Sequence, residues 1–270
     1  MTNNGWNRCG KKWITGVAFG CCFVFAALAT LHAGEPVSLF NGKNLDGWSV
    51  WVRDRGLNND PKGVFTVADG MIRVSGEEYG GITTDESFSN YRISLEFKWG
   101  DETWGSRKNA AKDSGLLIHS FGKDGQFGGI WMLSVEANIV QGGMGDFWIV
   151  GGKEDGICGT CKVRKTKNGM IFDPGKGELV TITENGAGCF RNLYWDENWT
   201  DTLDVRGVND VDTQDGWTKM EVVAEGKTMK VYVNGKFVNE VTDLNRDNGR
   251  IQLQSEGAEI FFRNVTIESL

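Results

Sequence analysis

The stretch Arg92-Ile-Ser-Leu-Glu-Phe-Lys-Trp99 alternates strictly between polar and apolar residues. A period of two places the apolar side chains, from Ile93 to Trp99, on one face of a β-strand and the polar ones on the other. A strand with one apolar and one polar face is typical of an antiparallel sheet that packs on a core with one side. This stretch therefore predicts a sheet with a second layer behind it.

Similar signals recur on both sides of this stretch. Asn234-Gly235 lies at the centre of Lys230–Val238, and Asp69-Gly70 separates two short β-rich runs; both dipeptides favour tight hairpins. No segment shows a helical period with caps. The predicted strands are Val64–Val67, Met71–Val74, Arg92–Trp99, Leu116–His119, Trp131–Ile139, Phe147–Val150, Leu179–Thr183, Trp217–Ala224, the two halves of Lys230–Val238, Ile251–Gln254 and Glu259–Ile267.

This strand spacing predicts an all-β fold, a two-sheet antiparallel sandwich that forms one domain over residues 34–270. Residues 155–215, which are rich in Gly, Asp and Lys, are predicted to be an irregular insertion within that domain. The composition agrees, because 38 glycines, 11 tryptophans and only three prolines suit many tight turns in an aromatic-rich β-protein. A net charge of −7 argues against a nucleic-acid partner, which would favour a basic surface.

The first 33 residues have the layout of a secretory signal peptide. A positive patch of Arg8, Lys11 and Lys12 precedes an apolar run from Trp13 to Leu31. Its removal takes away three cations and no anions, so the net charge becomes −10. The sequence thus predicts a secreted or periplasmic protein without a membrane partner after cleavage, the alternative being an uncleaved anchor.

Three cysteines follow the leader: Cys158, Cys161 and Cys189. We expect one loop-stapling disulfide and an odd thiol, with the pairing left open, because three cysteines alone cannot complete a four-ligand zinc site. The acidic stretch Asp210–Asp215 lacks the glycine of a calcium-binding loop and is interpreted as a solvated loop.

Two predicted strands carry polar residues that do not suit a plain wet face. In Trp131–Ile139 the face with Glu136 and Asn138 is polar, and in Ile251–Gln254 it is the face with Gln254. A solvated face would favour Lys, Thr and mixed charges, whereas amides and carboxylates offer fixed donors and acceptors to sugar hydroxyls. Trp131, Trp148, Trp195 and Trp199 are candidate platforms for a sugar ring, although periodicity favours a core position for Trp131.

His119 is the one histidine that follows the leader. A lone histidine is often a structural hydrogen-bonding residue. It is also the one side chain there whose ordinary pKa lies near neutrality. Acid–base chemistry at neutral pH therefore needs His119 or a carboxylate with a shifted pKa such as Glu136.

Four stretches resemble the 3-keto-disaccharide hydrolase domain family. They are Ser38-Leu-Phe-Asn-Gly-Lys-Asn-Leu-Asp-Gly-Trp48, Asp113-Ser-Gly-Leu-Leu-Ile-His119, the run from Ser134 to Trp148, and the ending Gly249-Arg-Ile-Gln-Leu-Gln-Ser-Glu-Gly-Ala-Glu-Ile-Phe-Phe-Arg-Asn264. The resemblance spans residues 37–270. It implies a concanavalin A-like jelly roll, export from a bacterial cell and action on 3-keto-glycosides. Gln141 stands where the family pattern often has an acidic residue.

The chemistry of such a substrate suggests roles for the candidates. A ketone at C3 acidifies the C2 proton, so a base can remove it and the enolate can expel the C1 substituent. Our hypothesis gives His119 and Glu136 the role of the base or of ligands to one divalent metal ion that polarises the keto oxygen. The residues expected to bind the oligosaccharide or glycoside substrate are Asn138, Gln141, Asp146, Trp148, Gln254 and Glu256.

The main alternative is a non-catalytic carbohydrate-binding module of a cell-surface or periplasmic protein. The fold does not choose between binding and catalysis. A binding module needs aromatic platforms and amides but no titratable pair, so the combination of His119 and Glu136 favours an enzyme. Convergence of these two residues with Asn138 and Gln254 in one cleft would strengthen that interpretation.

Overall fold

The computed structural model describes residues 34–184 and 189–270, and the predicted signal peptide lies outside them. The strands are β1 (Val37–Ser38), β2 (Trp48–Val52), β3 (Gly56–Leu57), β4 (Phe65–Ala68), β5 (Met71–Val74), β6 (Gly80–Thr84), β7 (Phe88–Ser89), β8 (Tyr91–Thr103), β9 (Asp113–Phe121), β10 (Leu133–Val140), β11 (Phe147–Val150), β12 (Gly159–Thr166), β13 (Gly169–Phe172), β14 (Glu178–Ile182), β15 (Phe190–Arg191), β16 (Thr218–Glu225), β17 (Thr228–Val233), β18 (Lys236–Val241), β19 (Asn248–Ser255) and β20 (Ala258–Ser269). Two short 3₁₀ helices span Gly105–Asn109 and Lys153–Asp155. None of the helices in these two ranges is long and apolar enough to cross a bilayer.

The strands form two sheets. The first has the order β18-β17-β16-β8-β20-β5-β4, with β1 paired to β20. The second has the order β14-β12-β13-β15-β11-β10-β9-β19-β6-β2-β3, with β7 paired to β19. Neighbours in the described sheets are antiparallel except β13 and β15. The predicted all-β, jelly-roll sandwich of two antiparallel sheets is confirmed.

The core lies between the sheets and follows the alternation read from the sequence. Ile93, Leu95 and Phe97 of β8 are each at most 1% exposed and belong to one apolar cluster with residues of the second sheet. Burial of such a side chain stabilises the fold by roughly 1.5–3 kcal/mol. The opening motif therefore supplies one wall of the core.

The hairpin between β17 and β18 is the one that the sequence predicts. Val233 pairs with Lys236, and Asn234 and Gly235 have φ angles of 49° and 76°. A two-residue turn with positive φ at both positions matches the right-handed twist of the strands, and Asn-Gly adopts it at low cost.

The prediction of an irregular insertion at 155–215 is wrong for its first part. Residues 159–191 contain β12, β13, β14 and β15, which extend the second sheet at one edge. Their short, charge-rich runs alternate weakly, so propensity alone did not distinguish them from loop. The segment between β15 and β16 is free of strands, as expected.

The expected disulfide does not form among the three described cysteines, whose thiols are all free. The Cys158 sulfur lies 3.7 Å from the carbonyl oxygen of Asp243, and the Cys161 sulfur lies 3.8 Å from Asn239 Oδ1. The Cys161 thiol is thus packed against β18, and the Cys158 thiol against the chain that follows it.

The second sheet is buried on both faces at its centre. Every residue of β10 and all but the last residue of β9 are buried. Inward side chains join the core, whereas the outward ones are covered by the 3₁₀ helix at Gly105–Asn109 and by the loop before β10. Polar outward residues therefore lie beneath protein rather than in bulk water.

Candidate active site

Four adjacent strands, β11, β10, β9 and β19, form the floor of a cavity on the outer face of the second sheet. Val135 and Ala137 of β10 point into the core, so Glu136 and Asn138 between them point outward. Glu136 lies opposite Leu117 of β9 and Trp148 of β11 in the ladder. Directly opposite residues share a face, so Glu136 and Trp148 are neighbours on the cavity floor.

Gly115 of β9 leaves room for two of these side chains. A Cβ atom added at Gly115 would overlap Glu136 Oε1 and Gln254 Oε1. Its backbone is not in the left-handed region, so the position requires space and not the conformational freedom of glycine. The Glu136 carboxyl and the Gln254 amide therefore converge above this glycine.

Two loops supply the walls. Arg107, from the 3₁₀ helix Gly105–Asn109, and Asp113, the first residue of β9, line one side. Phe127 and Trp131 line the other, with rings stacked at 6.4 Å and an interplanar angle of 18°. With Val150 and Glu256, these residues enclose about 220 Å³, a volume in the range of a single sugar ring.

Several buried polar atoms around this cavity have no hydrogen-bond partner in the described ranges. Three are acceptors, namely Asp113 Oδ1, Asn138 Oδ1 and Gln254 Oε1, and one is a donor, Trp148 Nε1. Leaving a buried polar group unpaired costs about 1–3 kcal/mol. Such a concentration at one cavity is expected where a ligand supplies the missing partners.

Three carboxyls and one guanidinium set the electrostatics of the cavity. Arg107 Nη2 donates to Asp113 Oδ2 and lies 3.6 Å from Glu256 Oε1. Burial raises the pKa of Asp113 to about 7, against the opposing charge of Arg107. Burial, with the nearby charge of Glu256, raises the pKa of Glu136 well above its usual range. Burial and the charge of Asp113 likewise raise the pKa of Glu256, although Arg107 opposes the shift.

Five of the residues predicted from sequence meet in this cavity: Glu136, Asn138, Trp148, Gln254 and Glu256. Gln141 lines a different cavity of about 430 Å³. Its Oε1 accepts a hydrogen bond of 3.0 Å from the backbone N–H of Lys112, and its Nε2 donates to Asp204. Gln141 therefore fixes the chain that leads into β9.

Asp146 is fully buried and holds the chain near β15. Its carboxylate accepts from Arg191 Nη1 at 2.7 Å and from both the backbone and side chain of Asn192, at 2.7 and 3.0 Å. The Arg191 guanidinium in turn stacks on Trp195, 4.0 Å from the ring centroid. These contacts occupy both Asp146 oxygens, so its carboxylate is committed to protein partners.

The structure does not bring His119 into the cavity of Glu136. His119 has a φ of 53°, which interrupts the alternation of β9, and its ring packs at 5.7 Å against that of Tyr91 on the other sheet. Burial lowers the pKa of His119 to about 4, so the imidazole is neutral at pH 7. It lines a separate enclosed space with no free volume for a water molecule.

The two residues expected to share a metal ion thus line separate cavities. In the part of the chain that the structure describes, no group of three or more His, Cys, Asp and Glu side chains is placed to hold a metal. His119 and Glu136 therefore do not fit the role of a ligand pair.

Sequence reasoning missed five residues of the cavity: Arg107, Asp113, Phe127, Trp131 and Val150. Asp113 could have been found, because alternation back from Leu117 through Gly115 places it on the Glu136 face. Arg107 and Phe127 lie in segments without periodicity and gave no signal. Trp131 was predicted to be in the core, which is wrong, because β10 begins at Leu133 and Trp131 instead forms a bridge with Phe127.

One family model and several solved structures are similar to this chain. Residues 35–268 match the model of the 3-keto-alpha-glucoside-1,2-lyase-like domain. None of the curated proteins matches the chain. Similar solved structures include a "putative glycosyl hydrolase" from Parabacteroides distasonis, at 19% identity and a TM-score of 0.48, covering 87% of this chain and 94% of that one. Another is the carbohydrate-binding module CBM66 from Bacillus subtilis, at 16% identity and a TM-score of 0.42, covering 83% and 96%.

Proposed function

Since this chain belongs to the family of 3-keto-alpha-glucoside-1,2-lyase-like domains, we propose that it cleaves the glycosidic bond of 3-keto-glycosides, including 3-keto-disaccharides. The family makes it a carbohydrate-active domain of the glycosyl hydrolase type. The observation that carries the finer proposal is the buried cavity in which unpaired polar atoms surround the carboxyl of Glu136.

The unpaired atoms complement a sugar that carries one carbonyl. Asp113 Oδ1, Asn138 Oδ1 and Gln254 Oε1 each need a donor, and hydroxyl groups supply donors. Trp148 Nε1 needs an acceptor, and a keto oxygen supplies one. The stacked rings of Phe127 and Trp131 give the cavity an aromatic wall for the apolar face of the ring.

In this proposal Glu136 is the base that removes the C2 proton. It makes no hydrogen bond to another described side chain or backbone group. It lies opposite Trp148 in the ladder, and the Trp148 side chain, which carries an N–H donor, lines the same cavity. C2–H and the C3 oxygen are also neighbours in the substrate, and proton removal at C2 places negative charge on that oxygen. A donor aimed at the developing charge stabilises the enolate.

Burial and the neighbouring carboxyls raise the pKa of Glu136, which makes its carboxylate a stronger base and lowers the fraction that is ionised at a given pH. A base whose pKa lies closer to that of the carbon acid gains driving force for proton transfer, and the optimum lies near the working pH. The enolate then expels the C1 oxygen by β-elimination, with or without later addition of water. This route does not need the fixed separation of two carboxyls that ordinary glycosidases use.

Incubation of the protein with 3-keto-trehalose or a 3-keto-glucoside tests the proposal. We expect release of the aglycone by the wild type and its loss in Glu136→Gln. Binding of the sugar without turnover would instead support the carbohydrate-binding module. The divalent ion remains a prediction, and dialysis against a chelator before the assay tests it through a loss of turnover that added metal restores.

We also propose that the protein acts outside the cytoplasm, because residues 1–33 have the layout of a secretory leader. Expression of the full chain and mass spectrometry of the exported protein test this. A mature N-terminus near Gly34 supports export, and an intact Met1 in the cell-associated fraction contradicts cleavage.

A further inference from the structure

Glu256 lies in the cavity of Glu136 and has no role in the steps written above. We propose that Glu256 is the acid that protonates the departing glycosidic oxygen, and that Arg107 and Asp113 hold it in position. This inference rests on the proposed cleavage of 3-keto-glycosides. It assigns the second proton transfer of that reaction to a named side chain.

The contacts of Arg107 distinguish the two cavity carboxyls beside it, those of Asp113 and Glu256. Arg107 Nη2 forms a close ion pair with Asp113 Oδ2, whereas Glu256 Oε1 is 3.6 Å from the same nitrogen. Its other terminal nitrogen, Nη1, lies 3.6 Å from Asp201 Oδ1. One guanidinium neutralises one charge, and the carboxyl closest to Arg107 is that of Asp113, so Asp113 is the carboxyl that Arg107 most favours as an anion. Glu256, at longer range from the same guanidinium, keeps its proton more readily than Asp113 does, because like charges in one buried site disfavour joint ionisation.

The positions of Glu136 and Glu256 suit two different proton transfers, removal of the C2 proton and protonation of the leaving oxygen. Glu136 is in the middle of β10 and only 6% exposed, so it faces the sugar ring from the floor. Glu256 follows the end of β19, and its side chain is 19% exposed, which places it nearer solvent. In this assignment, the substituent that leaves from C1 passes towards solvent and its oxygen lies on the Glu256 side.

Gly257, the residue after Glu256, contacts the segment that carries Arg107. Gly257 has a φ of 83°, and a Cβ atom there would lie 2.9 Å from Arg107 Cγ. The carbonyl of Gly257 also accepts a hydrogen bond of 2.7 Å from the backbone N–H of Trp104. The residue after Glu256 thus fastens the Arg107 helix to the end of β19. Unpaired Asn138 Oδ1 and Gln254 Oε1, on residues at most 7% exposed, show that the same space is prepared for a ligand.

The proton and electron balance is complete within the cavity. The Glu136 carboxylate takes the C2 proton, and the C–H electrons form the enolate of the C3 ketone. The enolate then re-forms the C3 carbonyl and a C1–C2 double bond while the C1–O bond breaks. The departing oxygen keeps that bond's electrons and takes the proton of Glu256. Exchange with water returns the Glu136 proton to solvent and a proton to Glu256.

Substrates with different leaving groups test the assignment. A methyl 3-keto-glucoside releases an alkoxide that must be protonated, whereas a 4-nitrophenyl 3-keto-glucoside releases a stable phenolate. In Glu256→Gln we expect kcat/KM to fall by about 10²–10⁴-fold with the methyl substrate, and to stay within about threefold with the nitrophenyl substrate. An equal loss with both substrates, or no loss with either, would overturn the assignment.

Two controls separate this result from a folding defect and from failure of the proposed function. Asp201→Asn changes another carboxyl beside Arg107 that does not line the cavity, and it should slow neither substrate. If Glu256→Gln does not fold, Glu256→Ala should show the same contrast. Cleavage of neither substrate by the wild type, or full activity of Glu136→Gln, would instead contradict the proposed function.

Discussion

Glu136 and His119 lie on neighbouring strands and are both buried, but their surroundings differ. Glu136 faces about 220 Å³ of free volume with two further carboxyls, a guanidinium and several unpaired polar atoms. Both ring nitrogens of His119 are also unpaired, but its ring packs against that of Tyr91 where no water molecule fits. The comparison teaches that a buried titratable group indicates a reaction centre when space and complementary polar groups accompany it.

Substitution of the two residues gives the largest expected difference. Glu136→Gln should lower kcat/KM for a 3-keto-glucoside by roughly 10³-fold, the middle of the range for a lost general base. His119→Asn should leave it within about threefold, since Asn tolerates the left-handed backbone of that position. Steady-state kinetics on both variants measure the contrast. Equal losses would make His119 part of the chemistry and break the comparison.

The two tryptophans of the cavity sharpen the comparison further. Trp148→Phe removes an unpaired N–H and should lower kcat by about 10²-fold, as loss of one oxyanion donor does. Trp131→Phe is the matched control, because its Nε1 already donates to Gly80 O at 3.0 Å. It should affect KM more than kcat. A larger effect on kcat from Trp131→Phe would contradict the proposed partner of the keto oxygen.

Gly115→Ala tests whether the convergence of Glu136 and Gln254 matters. The added methyl group displaces both side chains, so we expect about a tenfold loss of kcat, since small misplacements of reacting groups are costly. Gly235→Ala, in the exposed hairpin, should lower the melting temperature and leave kcat unchanged, because the left-handed backbone there disfavours a Cβ atom. Full activity of Gly115→Ala would show that the base tolerates displacement.

The smallest expected effect is a pH-dependent change in stability. The pKa of Glu136 is raised in the folded state, so its protonated form favours folding at low pH and that contribution is lost as pH rises through the folded-state value. Glu136→Gln should therefore raise the melting temperature at pH 8 by a few °C, since about 1 kcal/mol corresponds to roughly 2–4 °C, and should change it little at pH 4. Thermal unfolding at both pH values measures this. An equal shift at both values would show that the carboxyl does not titrate as described.

The sequence could predict the floor of the site because strand alternation is a local property. The pattern of Trp131–Ile139 placed Glu136 and Asn138 together, and that of Ile251–Gln254 added Gln254. Alternation also explains why His119 was wrongly expected beside Glu136. A strict period of two puts His119 on the same face as Leu117, which is opposite Glu136 in the ladder. A positive φ at a single residue reversed its direction, and nothing local predicts that.

The walls could not be predicted in the same way. Arg107 reaches Asp113 and Glu256 through a loop whose path depends on contacts such as the hydrogen bond from Trp104 N to Gly257 O. Such contacts join residues far apart in the chain and produce no periodic pattern in the sequence. The jelly-roll sandwich, in contrast, follows from many repeated local signals. The fold prediction was therefore correct even though the strands within residues 155–215 were mostly not predicted.

The division between a floor on strands and walls on loops has an evolutionary consequence. Under the proposed function, exchange of the segments around Arg107 or Phe127 would alter which aglycones fit, while Glu136, Asn138 and Gln254 stay anchored in hydrogen-bonded ladders. Selection could then diversify the accepted leaving groups across related chains without changing the residues of the proposed proton-abstraction step. The scaffold separates the evolvable part of the enzyme from its chemically constrained part.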